Sequence, residues 1–148
     1  SFAKQRNFDS QELEQHAEAY RIELVKNVAT KQSSAEDTSV LLLDAAGLFK
    51  ALLDDIQAGL PTGFIAQCFH DAFVRVLVEM AELVRAVYGI SIVALGGGVF
   101  MNRYLTEQAL IQLQERGFTV AMNKDLPPND ASISYGQAVL GWQAQNKE

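Results

Sequence analysis

The chain has 148 residues, 49% of them hydrophobic and 20% charged, which is the composition of a globular rather than a disordered protein. Twelve basic residues against eighteen acidic ones give a net charge of −6. That balance disfavours sequence-independent nucleic-acid binding, where Lys and Arg must neutralise phosphates. The one cysteine, Cys68, excludes an internal disulfide and suits a reducing compartment. No apolar run reaches the roughly 18 residues of a membrane span, and the N-terminus shows no signal-peptide core. The expectation is a soluble, cytoplasmic protein with neither a membrane nor a nucleic acid as partner.

In chain order, Ser1–Asn7 has no periodicity and predicts a loose start. Asp9 or Ser10 caps a predicted amphipathic helix over SQELEQHAEAYRIELVKNV, where Leu13, Ala17, Tyr20, Leu24 and Val28 recur three or four residues apart. His16 lies beside Glu12 on it and reads as a surface histidine or, alternatively, a ligand. TKQSSAEDTS is polar enough to be an exposed loop. Val40–Leu43 is short and apolar, either a strand or a helix entry. Asp44 can cap a helix from Ala45 to about Ala58, which Gly59 closes. Pro61 and Thr62 open the longest helix, roughly Gly63 to Tyr88, stopped by Gly89. Its wide stripe, from Phe64 and Ile65 through Phe73, Val76, Leu77 and Met80 to Val84 and Val87, predicts heavy burial. Cys68, His70 and Asp71 share this helix. Residues two apart do not face each other there, so a buried Cys and a hydrogen-bonded His are expected rather than a nucleophile and its base.

The second half is organised around Ser91–Asn102, SIVALGGGVFMN. Ile92 to Leu95 predict a strand that runs straight into three glycines, and helical spacing resumes from Asn102 to Arg116. Phe118–Met122 supplies a second strand after Gly117. LPPNDAS is a turn in which Asn129 or Asp130 caps the last helix, Ser132 to about Gln143. Strand–helix–strand–helix order predicts a parallel layer. With no linker or repeat, residues 1–148 read as one domain.

A strand, a glycine turn and a helix start can present backbone N–H groups to an anion. GGGVFMN matches neither GxxxxGK[ST] nor GxGxxG, since no Lys–Ser/Thr follows and Met101 stands where a third glycine would fall. Two readings stay open: close strand–helix packing, or Gly96–Gly98 against a nucleotide that Asn102 hydrogen-bonds. Asp130 likewise either caps a helix in its dipole or gives an oxygen to a hard cation. Phe100 and Trp142 are packing residues or a stacking surface for a base.

Three strings in this order, FIAQCFHDAF, VALGGGVFMNRYLTEQALIQLQERGFTV and LPPNDASISYGQAV, resemble the C-terminal end of the HypF carbamoyltransferases of hydrogenase maturation. The resemblance covers about Val40 to Val139. It implies a helix-rich α/β fold with a small, mainly parallel sheet, the C-terminal half of an actin/Hsp70/sugar-kinase type ATPase (ASKHA) domain. It also implies that Gly97, Gly98 and Asn102, with Gly96 beside them, bind the adenosine part of ATP, and that Asp130 binds a divalent metal, Mg or Fe. No catalytic residue is assigned. Two positions depart from the family pattern: Gly96 replaces a serine, and Ala131 and Ser132 replace two glycines. No Cys-x-x-Cys or His-x-x-x-His occurs, so zinc and the histidine metal ligands would belong to upstream domains. The chain then reads as a C-terminal fragment, inactive alone. The intact protein would use ATP and carbamoyl phosphate to carbamoylate the C-terminal cysteine of a HypE-like maturation partner. A tRNA threonylcarbamoyltransferase-like fragment and a non-catalytic scaffold or interaction module are the alternatives.

Overall fold

The computed structural model describes residues 11, 13, 16, 18–27, 40–123 and 125–146. Contacts divide the chain into two compact units, Ser1–Glu82 and Leu83–Glu148. The sequence shows no linker there because the division falls within a helix.

In the first unit Gln11, Leu13 and His16 are helical, and residues 18–20 already form a turn. The helix expected to run on to Val28 is therefore shorter. Tyr20 and Ile22 are buried and Leu24 partly so, whereas Arg21, Glu23 and Val25 are exposed. Such period-two alternation belongs to a strand with one covered face. Strand β1, Glu23–Asn27, pairs antiparallel with β2, Val40–Asp44, with Leu24 opposite Leu43 and Val25 opposite Leu42. Val40–Leu43 thus resolves as a strand. The loop expected over residues 30–39 lies outside the described residues, as does the predicted loose start at Ser1–Asn7.

Helix α1, Ala46–Gln57, follows at once. Asp44 Oδ1 accepts the Ala46 N–H at 2.9 Å, so Asp44 satisfies the helix start as expected, from one position before the cap residue Ala45. Helix α2, Thr62–Tyr88, is the longest element. Gly59 and Gly89 end the two helices where the sequence places them, both at positive φ. Tyr20, Ile22, Leu48, Ala51, Phe64, Cys68, Ala72 and Val76 form one buried cluster. Full burial of a side chain such as Leu48 contributes about 1.5–3 kcal/mol. The burial of α2 is less complete than its stripe suggested. Phe64, Ile65, Cys68, Ala72, Val74, Val76 and Val78 are buried, but Met80, Val84 and Val87 are exposed.

In the second unit β3, Ile92–Leu95, pairs parallel with β4, Thr119–Met122, through helix α3, Arg103–Glu115. This is the predicted parallel pair, in the register Ile92 opposite Thr119 and Leu95 opposite Met122. Leu105, Ala109 and Leu113 are the buried face of α3, with Leu95 and Phe118 buried beside them in the same unit. The Arg85 guanidinium lies 4.1 Å over the Phe118 ring and donates to the Arg116 carbonyl at 2.8 Å, which ties the end of α2 to the start of β4. Helix α4, Ile133–Gln145, has no buried residue, and Ile133, Tyr135, Leu140 and Trp142 are exposed on it. The class is the expected helix-rich α/β, with an antiparallel pair added in the first unit. Among the described residues no helix is long and apolar enough to cross a membrane.

Candidate functional site

Both candidate loops leave the carboxyl ends of the parallel strands, where open α/β sheets hold their ligands. After β3 comes Gly96, then Gly97 at φ 103°, ψ 164°. Only glycine adopts that backbone region at little cost, because a Cβ there crowds the peptide. A 3-10 turn, Gly98–Met101, comes next and delivers the chain to Asn102, the cap residue of α3. Asn102 Oδ1 accepts the Leu105 N–H at 3.1 Å. The Thr106 hydroxyl donates to the Phe100 carbonyl at 2.8 Å and pins the turn to the helix it precedes. Within that turn Phe100 N–H donates to the Gly97 carbonyl and Asn102 N–H to the Val99 carbonyl. The first N–H groups of a helical turn have no partner inside it, and here those are the ones of Gly98 and Val99.

The loop after β4 is built by side chains reaching back to its backbone. Asn129, not Asp130, caps the short 3-10 turn Asp130–Ser132, with its Oδ1 accepting the Ala131 N–H at 3.1 Å. The Ser132 hydroxyl donates to the Pro127 carbonyl at 2.5 Å, and the Ser132 N–H to the Asn129 carbonyl at 3.2 Å. Asp130 is exposed at the start of that turn. One backbone bond then joins the two loops: the Gly97 N–H donates to the Pro128 carbonyl at 2.5 Å. A Cβ on Gly98 would lie 4.0 Å from the Asn129 Cβ, an ordinary contact. The structure therefore brings the glycine turn and PPND together. It also occupies the Gly97 N–H, so the Gly98 and Val99 N–H groups are the ones at the start of the turn without a partner inside it.

As a metal site the arrangement supplies one carboxylate. Among the described residues no group of three or more His, Cys, Asp or Glu side chains converges. A hard cation takes six or more oxygens, though Mg2+ is commonly held by one or two carboxylates with phosphates and water. Asp130 fits as one such oxygen and no more.

Cys68, His70 and His16 belong to the first unit. Cys68 is 4% exposed, and the His70 Nδ1–H donates to the Ala66 carbonyl at 2.6 Å, so neither acts on the other as nucleophile or base. Burial first, then the Asp71 and Asp55 carboxylates, push the Cys68 thiol from 9.0 up to about 11. Its folded value lies above the unfolded one, so its contribution to stability is complete below pH 9 and is lost as pH rises towards 11. Cys68 should resist thiol reagents at pH 7.5 in the native state and react at the ordinary rate once the protein is unfolded in urea. Rapid native labelling would contradict the buried assignment.

His16 is not an isolated surface residue. Its ring meets Phe64 edge-on at 4.9 Å, and its Nε2 lies 3.8 Å from Asp55 Oδ1, while Asp55 Oδ2 accepts the Tyr20 hydroxyl at 2.9 Å. Burial and that hydrogen bond raise the Tyr20 hydroxyl well above its usual range. His16 and Asp55 border a cleft of about 430 Å3 in the first unit, with Gly47, Lys50 and Asp54. Sequence reasoning missed this arrangement because Asp55 lies 35 residues beyond the Tyr20 it bonds. Trp142 is 66% exposed on α4, which sets aside the packing reading for it among the described residues; Phe100 is half-buried.

A glycine-turn loop and an acid-bearing loop meet at the carboxyl ends of adjacent parallel strands, an arrangement of open α/β sheets. The chain belongs to the HypF carbamoyltransferase family: residues 3–137 match the second subdomain of its Kae1-like domain. It is 35% identical over 105 residues to the carbamoyltransferase HypF of Synechocystis sp., covering 71% of this chain and 13% of that one. It is 36% identical over 100 residues to a HypF homolog of Cupriavidus necator, covering 66% of this chain and 25% of the homolog. Among solved structures, full-length HypF in a phosphate- and nucleotide-bound form matches 98% of this chain and 19% of its own, with a TM-score of 0.64 and 30% identity. HypF of T. kodakarensis matches 93% of this chain and 17% of its own, with a TM-score of 0.57 and 27% identity. The chain thus spans a quarter or less of the length of these relatives.

Proposed function

We propose that this chain supplies the nucleotide side, and one oxygen of the metal site, of an ATP-dependent carbamoyltransferase acting in the maturation of nickel–iron hydrogenases. The observation that carries the reading is the junction of the glycine turn with PPND by the Gly97–Pro128 bond, in a chain of the HypF family. A relative solved in a phosphate- and nucleotide-bound form supports a nucleotide as the ligand. In this reading the Gly98 and Val99 N–H groups and Asn102 orient ATP, and Asp130 contributes to holding a divalent cation, Mg or Fe. The cation, when bound, neutralises phosphate charge. The chain's own share is positioning and fixed backbone dipoles. The carbamoyl group of carbamoyl phosphate would pass, with release of phosphate and of pyrophosphate from ATP, into carbamoyl adenylate, and from there, with release of AMP, to the C-terminal cysteine thiol of a HypE-like partner.

The test is Asn102→Asp in the intact carbamoyltransferase. The cap uses Oδ1, which aspartate reproduces, so the variant should melt as wild type does. Aspartate lacks the amide donor and repels phosphates, so ATP affinity measured by calorimetry should fall by roughly 1–3 kcal/mol. Unchanged affinity would return Asn102 to a plain helix cap.

A further inference from the structure

Ser132 stands where the sequence resemblance implies a glycine, and its hydroxyl makes a contact glycine has no atoms to make. It donates to the Pro127 carbonyl at 2.5 Å, five residues back, and closes the PPND loop across its mouth. The next carbonyl, that of Pro128, is the one that receives the Gly97 N–H. Two prolines in succession leave this stretch few backbone conformations, so fixing one carbonyl restricts the direction of the next. On the opposite side of the junction the Thr106 hydroxyl holds the Phe100 carbonyl in the same manner. The glycine turn and the acid-bearing loop are therefore each braced by a hydroxyl and joined by one hydrogen bond.

We propose that Ser132 is a positioning residue for the nucleotide. By holding the Pro127 carbonyl it orients Pro128 against Gly97, and so sets the glycine turn from the side of the site that carries Asp130. This rests on the reading of the glycine turn as the nucleotide site. The two loops are consequently not independent, and a change confined to the Asp130 side reaches ATP without touching it.

The measurement is ATP affinity of the intact carbamoyltransferase by calorimetry in EDTA, so that no divalent cation bridges Asp130 to the phosphates. Ser132→Ala, Ser132→Thr and Asn102→Asp are compared with wild type. Ser132→Ala should bind ATP about three- to tenfold more weakly, the effect of one hydrogen bond. Ser132→Thr keeps the hydroxyl and should come within about twofold of wild type. If Asn102→Asp weakens binding but Ser132→Ala does not, the positioning role is overturned and the nucleotide site stands. If Ser132→Ala and Ser132→Thr are weakened alike, the effect is packing and the positioning role is again overturned. If Asn102→Asp binds as wild type does, the nucleotide reading itself fails.

Discussion

Asp130→Asn in the intact carbamoyltransferase is expected to lower metal- and ATP-dependent carbamoyl transfer by more than about 100-fold, since even outer-shell partners of a metal cost 10–100-fold. The substitution is nearly isosteric and removes only the charge. Asp130 is exposed, and the neighbouring helical turn is capped by Asn129, so the carboxylate has no cap to lose. Its melting temperature should therefore match wild type. A neutral amide is a poor ligand for a hard cation that binds through anionic oxygens. Excess Mg2+ should restore part of the rate, because what is lost is affinity for the ion. Activity within about tenfold of wild type at low Mg2+ would be too small an effect for a metal ligand, and would assign Asp130 to the loop surface.

Gly97→Ala should destabilise the second unit by about 1–3 kcal/mol, the cost of holding a non-glycine residue in so sparsely populated a region. The added Cβ meets nothing within 4 Å, so the penalty lies in the backbone at φ 103° rather than in a collision. Rotation of residue 97 to a relaxed φ would turn its N–H away from the Pro128 carbonyl and part the two loops. ATP affinity should then fall together with stability. Gly96→Ala is the control: it has neither positive φ nor a neighbour within 4 Å, and its urea midpoint should stay at the wild-type value. Equal midpoints for Gly97→Ala and Gly96→Ala would contradict the assigned geometry.

Much of the second unit was legible because its signals are local. Four β-favouring residues, a glycine turn and a resumed helical period specify β3, the turn and α3 one after another, while Gly117 and the two prolines delimit the segment that holds β4. The first unit was harder. Tyr20 and Leu24 are four apart, a spacing that a helix face and one side of a strand share, since four is a multiple of two. The intervening Ile22 breaks the tie in favour of a strand, and pairing with Val40–Asp44 overrides the helical propensity of the flanking residues. The Tyr20–Asp55–His16 contacts had no local signature, because they depend on how α1 packs against a segment 35 residues earlier. At the site itself, sequence named Gly96–Gly98, Asn102 and Asp130 but left the caps open. It had no means of assigning the Gly97–Pro128 bond, which depends on the register of two strands and the path of the loops beyond them.

The most direct test is a crystal structure of the intact carbamoyltransferase grown with a non-hydrolysable ATP analogue and Mg2+. The predicted result is a nucleotide within hydrogen-bonding distance of the Gly98 or Val99 N–H and the Asn102 side chain, with the cation on an Asp130 oxygen and the Gly97–Pro128 bond intact. A nucleotide bound elsewhere, with neither Asn102 nor Asp130 touching the nucleotide or the cation, would contradict it.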